Sequence, residues 1–190
     1  MQVIYDIIGS IIIGGIILLM LLSFNSSVME GSAVQTFNSI VQSNMTSLTD
    51  LIEYDFRKMG YRVGSIHDSA IVYADSVRIL MKGDMDNNHS VERVAYYLDP
   101  IKKSGHVNPR SRVLYRQVNG AAAQTINLGI TRFRMAYYDA NDKLINENPV
   151  KSPSQIRAIR LAINMESTSP YDTVYTGTTW ERTIAPKNLK

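Results

Sequence analysis

IIGSIIIGGIILLMLLSF, residues 7–24, and VQTFNSIVQSNMTSLTDLIEYDFRKM, residues 34–59, are the stretch on whose reading the fold depends. The first segment has eighteen residues, no charge, and only Ser10 and Ser23 as polar side chains. As a helix it would span about 27 Å, close to the roughly 30 Å hydrocarbon core of a bilayer. In the second segment Val34, Phe37, Val41, Met45, Leu48, Ile52, Phe56 and Met59 recur at steps of three and four. That spacing predicts an apolar stripe on a helix otherwise built of Ser, Thr, Asn, Gln and acids. Gly60 follows the last stripe residue and suits a helix C-cap. Residues 1–60 are therefore read as one long helix, roughly 85–90 Å if unbroken, with its membrane-spanning part at 7–24. Residues 61–190 form the head. A rod of that length exceeds what a single head domain needs, and it suits a subunit that packs beside copies of itself.

Charge divides the chain. Residues 1–99 carry six Lys and Arg against eleven Asp and Glu, a net of −5. Residues 100–190 carry fourteen against six, a net of +8. A basic half suits an anionic partner, a solvated face, or pairing with acidic neighbours. No recognised nucleic-acid reading motif accompanies it. Cysteine is absent, which excludes disulfides and thiolate metal centres. His67, His89 and His106 lie far apart, and no two share a helix face.

The segment before the apolar run has no Lys or Arg, and SFNSSVMEGS is a poor cleavage site, so the run reads as a retained anchor. The first basic residue after the span is Arg57. The positive-inside rule thus gives little reason to hold the C-terminal side in the cytoplasm, and the head is expected outside. Asp6, the only charge in the first 29 residues, sits at a helix N-terminus, where the dipole favours a carboxylate. It can simply lie at the headgroup boundary, or pair with the amino terminus of an axially offset neighbour. Gly9, Ser10, Gly14 and Gly15 permit close helix approach in a membrane. Adjacent Gly14 and Gly15 also mark a place where the rod can bend, and SFNSS at 23–27 is a second.

After Gly60 the period shifts toward two. Strands are expected at 70–73 and 76–81 (separate, or one strand with a bend), at 91–98 ended by Asp99-Pro100, and at 130–138 and 156–165. Residues 101–111 read as a polar basic loop. Asn119-Gly120 predicts a two-residue hairpin between 113–118 and 121–128, because both residues tolerate positive φ. A last hairpin is expected around Gly177. The sum is an α+β protein whose antiparallel sheet of about six or seven strands covers the rod's stripe.

No nucleophile elbow, HExxH, P-loop or strand-borne GxGxxG is present, so no catalytic residue is assigned and an enzyme is not expected. Asp84, Asp86 and Asn88 have the alternate spacing that opens a calcium loop, and Glu92 could reach the same ion. An EF-hand wants Gly at the sixth position and Glu at the twelfth, where this chain has His89 and Ala95. The other reading is an Asp/Asn-rich turn joining two strands.

In this order of elements the chain resembles the type IV pilin-like superfamily, and more narrowly the PilW-type minor pilins and the J-type pseudopilins of type II secretion. The resemblance rests on LIEYDFRKMGYRVG at 51–64, GDMDNNHSVERVAYYLD at 83–99, RVLYRQVNG at 112–120, ITRFRMAYYDANDKL at 130–144 and IRAIRLAINMES at 156–167, followed by KNL at 187–189. It implies a structural, non-enzymatic subunit of a pilus or pseudopilus, minor or tip-proximal. Such a subunit waits in the inner membrane with its head in the periplasm. It is then drawn into a filament by an assembly machine, with other pilin-like subunits as helix partners. The resemblance also implies a short basic leader, cut and methylated at the junction. None precedes Met1, so either the numbering starts at a mature residue or the anchor is never processed. The family has Glu as its fifth mature residue, where this chain has Tyr5. The adjacent Asp6 is the candidate for that role, displaced about 100° around the helix. The expected assembly residues are thus Tyr5, Asp6, Gly14 and Gly15. The competing expectation is a membrane-anchored periplasmic module that binds DNA, polysaccharide or an anionic surface. A major subunit of the same kind of filament would show the same pattern.

Overall fold

The structure is a computed structural model that describes residues 2–64, 69–103 and 105–189. Met1, residues 65–68 with His67, Ser104 of the basic loop, and Lys190 lie outside the described residues. Helix α1 runs unbroken from Gln2 to Arg57, 56 residues or about 84 Å. It passes through Gly14-Gly15 and through 23–27 without interruption. It ends earlier than Gly60. Met59 N–H already turns back to Phe56 O (3.2 Å), and Gly60 N–H leaves the helix for Lys82 O (2.8 Å). The chain thus exits by bonding to the sheet rather than by a Gly cap.

Among the described residues nine strands follow: β1 Ile71–Ala74, β2 Arg78–Gly83, β3 Glu92–Lys103, β4 Arg112–Val118, β5 Gln124–Ile126, β6 Ile130–Tyr138, β7 Leu144–Ile145, β8 Ala158–Glu166 and β9 Gly177–Ile184. They form two antiparallel sheets rather than the single sheet expected. One has the order β1-β2-β3-β4-β5 and the other β7-β6-β8-β9. The sheets meet at Asp75–Val77. The Asp75 carboxylate accepts the Val77 and Arg78 N–H groups (both 2.7 Å), which closes the β1–β2 hairpin. Ser76 O then accepts Met135 N–H of β6 (2.9 Å), and the Tyr137 hydroxyl donates to Asp75 O (2.8 Å).

Three other strand expectations are corrected. β3 continues through Asp99-Pro100 to Lys103, with a register shift between Leu98 and Lys103 that accommodates the proline's missing donor. Asn119 and Gly120 do take positive φ, and Ala121 N–H bonds Val118 O (2.9 Å), as a primed turn requires. β5 nevertheless resumes only at Gln124, because the turn is pinned sideways to β3. Asn119 N–H donates to Arg93 O, and Arg93 N–H donates to Asn119 Oδ1 (both 2.8 Å). Around Gly177 there is no hairpin: β9 pairs along β8 from Met165↔Thr178 to Ile159↔Ile184. The basic loop is organised by buried Asn108. Its amide donates to Glu166 Oε2 (2.8 Å) and Ser167 O (3.1 Å), and its Oδ1 accepts Arg110 N–H (3.0 Å).

One core serves both sheets. The helix stripe from Val41 through Met45, Leu48, Ile52, Phe56 and Met59 is buried. Ile79, Met81, Val94, Tyr96 and Leu114 of the first sheet and Phe133, Met135, Tyr137, Ile159, Leu161, Ile163 and Met165 of the second join it. These are the alternate residues that period two selects in each strand. Arg132, Arg134 and Arg160 are exposed on the opposite face. The stripe's first two members, Val34 and Phe37, are only half-buried, so the head covers the rod from about residue 41 onward.

Candidate functional site

The described chain presents two places where side chains are arranged for something other than its own core. The first is the free half of α1. Val3, Ile4, Ile7, Ile8, every apolar residue from Ile11 to Phe24, and Val28 and Met29 are exposed. A helix that is apolar all round is not stable in water and needs lipid or protein about it. Its most apolar 18-residue window is wholly unburied, and the helix is long and apolar enough to cross a membrane. Its polar groups suit that use. The Ser10 hydroxyl donates to Asp6 O (2.8 Å) and that of Ser27 to Ser23 O (3.1 Å), so neither needs water. Tyr5 and Asp6 are exposed near the helix start, and a Cβ placed on Gly9, Gly14 or Gly15 would meet nothing within 4 Å. Tyr5, Asp6, Gly14 and Gly15 thus lie on one exposed segment, with no partner from the head among the described residues.

The rod joins the head through a buried polar cluster that the sequence reading missed. The Asp55 carboxylate, 1% exposed, accepts the Tyr96 hydroxyl at 2.7 Å and Arg116 Nε at 2.7 Å, with Arg116 Nη2 at 3.3 Å on its other oxygen. Burial, reinforced by the Asp55 charge, pushes the Tyr96 phenol well above its ordinary value, so it remains a donor. For Arg116, burial opposes the charge, but the hydrogen bonds and charges of Asp55 and Tyr96 together outweigh it and raise the guanidinium. The available signal was an acid directly beside the stripe residue Phe56. Glu53 adds a more exposed link, accepting Arg57 (3.0 Å) and Arg182 of β9. Near it, a cleft of about 530 Å³ is lined by Arg57, Tyr61, Arg182, Ile184 and Lys187. Two basic residues of the C-terminal half form more exposed pairs within the head: Arg110 with Glu166 and Arg160 with Glu181.

The second place is the β2–β3 turn, where Asp84, Asp86 and Glu92 converge. One carboxylate oxygen from each lies within 4.8 Å of the others. Asp84 is fully buried, and its Oδ2 accepts Arg62 Nη1 (2.9 Å) and His89 N–H (3.2 Å). Burial alone would raise the Asp84 carboxyl, but the His89 amide, the Arg62 guanidinium and the Asn87 amide together hold it below the usual range. None of these donors closes a hydrogen bond on Asp84 Oδ1. Buried Glu92 accepts Met85 N–H (2.7 Å). Asp86 and Asn88 are exposed and shape the turn: Asp86 accepts both the backbone and side-chain N–H of Asn88, and Asn88 Oδ1 accepts Ser90 N–H. His89 stands where a calcium loop has Gly, and it takes the left-handed φ of 72° that Gly would supply.

No family model, curated protein or solved structure matches this chain.

Proposed function

We propose that this chain is a helix-anchored structural subunit of a filament of the type IV pilus or type II secretion pseudopilus kind, in a minor or tip-proximal position. The observation that carries the reading is the division of α1: its C-terminal half is buried by the head along one stripe, while its N-terminal half is apolar on every side and free. An anchor alone needs residues to cross the bilayer. The same surface also lets the segment exchange lipid for the helices of neighbouring copies, at about 25 cal/mol for each Å² of apolar surface kept from water. Before assembly the span would lie in the inner membrane with the head in the periplasm. In the filament Asp6, the one charge on that segment, would set axial register by pairing with a neighbour's amino terminus, because an unpaired buried charge is costly. Arg110, Arg116, Arg160 and Arg182 are paired with the chain's own carboxylates, which leaves fewer basic side chains for an anchored module built to bind an anionic surface.

The test compares wild type, Asp6→Ala and Ile12→Cys in the producing cell. Because the chain has no cysteine, Cys at position 12 reports helix–helix contact without background. The expected result is wild-type protein in sheared filaments, with cross-links through position 12. Asp6→Ala should be retained in the membrane and absent from filaments. Equal behaviour of Asp6→Ala and wild type, with monomers only in the membrane and no cross-link, would overturn the proposal in favour of a simple anchor.

A further inference from the structure

We propose that the β2–β3 turn is a divalent-cation site, suited to calcium, formed by the carboxylates of Asp84, Asp86 and Glu92. Three ligand oxygens within 4.8 Å of one another can share a single ion, since oxygens on opposite sides of calcium stand about 4.8 Å apart at a Ca–O distance of about 2.4 Å. Calcium tolerates flexible carboxylate geometry, whereas magnesium demands a near-ideal octahedron and keeps several waters. The independent pointer is Asp84 Oδ1. The side chain is wholly buried, its other oxygen is occupied by Arg62 and His89, and Oδ1 has no hydrogen-bond partner among the described residues. A buried carboxylate oxygen left without a donor is destabilising, and a cation shared with Asp86 and Glu92 would satisfy it. Arg62 balances one of the three carboxylates, leaving the charge that one divalent ion neutralises. Lys58 directs its ammonium to Met85 O (2.7 Å) and Asn87 Oδ1 (3.0 Å).

The position gives the ion a consequence. The Tyr54 hydroxyl also donates to Met85 O (2.8 Å), so this turn is tied to the last turn of α1. A bound cation would stiffen the joint between rod and first sheet, far along the helix from the membrane segment. This inference is independent of the filament reading and is tested on the full chain in detergent micelles.

After stripping with EDTA, CaCl2 is titrated while thermal unfolding is followed, and terbium luminescence is excited through the tyrosines. Half-saturation is expected at about 10⁻⁴–10⁻³ M, as for extracellular calcium modules, with a rise of several degrees in the unfolding midpoint. Asp86→Asn should weaken the calcium effect at least about tenfold, because it removes one ligand charge. Its midpoint in EDTA should not fall, since Asp86 bonds only within the turn and its charge there faces two other carboxylates. Glu92→Gln, which still accepts Met85 N–H, should weaken binding similarly. No midpoint shift and no terbium emission in wild type, or a full shift in both variants, would overturn the site.

Discussion

At the residue scale, the joint between rod and head depends on Asp55. It is an acid on the buried side of a helix, held by one phenol and one guanidinium from two adjacent strands. Removing one partner of a buried ion pair strands the other, which costs about 3–5 kcal/mol. Arg116→Ala is therefore expected to destabilise the head by about that amount, and Tyr96→Phe by about 1–3 kcal/mol for the lost bond to a buried acceptor. Urea unfolding followed by circular dichroism checks both. A loss below 1 kcal/mol for Arg116→Ala would mean that the pair does not hold the joint. Gly60 is the other decisive residue. Its φ is +78°, and a Cβ there would lie 2.7 Å from Asn188 O of the C-terminal tail. Gly60→Ala is expected to cost about 1–2 kcal/mol from the left-handed backbone alone, and more from the clash. The same unfolding measurement tests it. Period and composition placed an end signal at Gly60. The need for glycine comes from its left-handed φ and from a tail 128 positions away in the sequence.

At the element scale, α1 is two helices in its energetics. Phe56 is fully buried, with its ring 6.0 Å from that of Tyr96, while Ile17 is exposed on the free segment. Phe56→Ala should cost the head about 3–5 kcal/mol, whereas Ile17→Ala should change it by less than about 0.5 kcal/mol. Comparable losses for the two variants would contradict the division of the rod. The helix was legible because its spacing is local: each turn repeats the same pattern, and Val41 to Met59 emerged as the buried stripe. The strand faces were legible for the same reason, as in Phe133, Met135 and Tyr137 inward against Arg132 and Arg134 outward. The strand ends were less so. β3 runs past Pro100 and β5 begins late because their neighbours supply or withhold hydrogen bonds, and the neighbours are not adjacent in sequence.

At the scale of the whole molecule, the head and the first half of α1 should be separable. No residue from Gln2 to Ser32 is buried, so deletion of residues 1–29 should leave the urea midpoint of the head unchanged within about 0.5 kcal/mol and give a protein soluble without detergent. A drop in the midpoint would show that the free segment folds back on the head. What the sequence by itself determined is the apolar span, the stripe, the in-and-out alternation of the strands and the acidic spacing at 84–92. Each is a periodicity or composition confined to a few turns or one strand. Only the tertiary structure decided that the strands split into two sheets meeting at Asp75–Val77, that Asp55 finds Tyr96 and Arg116, and that Asp84 is buried with one oxygen unpaired among the described residues. Those outcomes depend on which distant strands come into register. That choice is made by the shared core, because a core closed by both sheets buries the stripe and every inward strand face together.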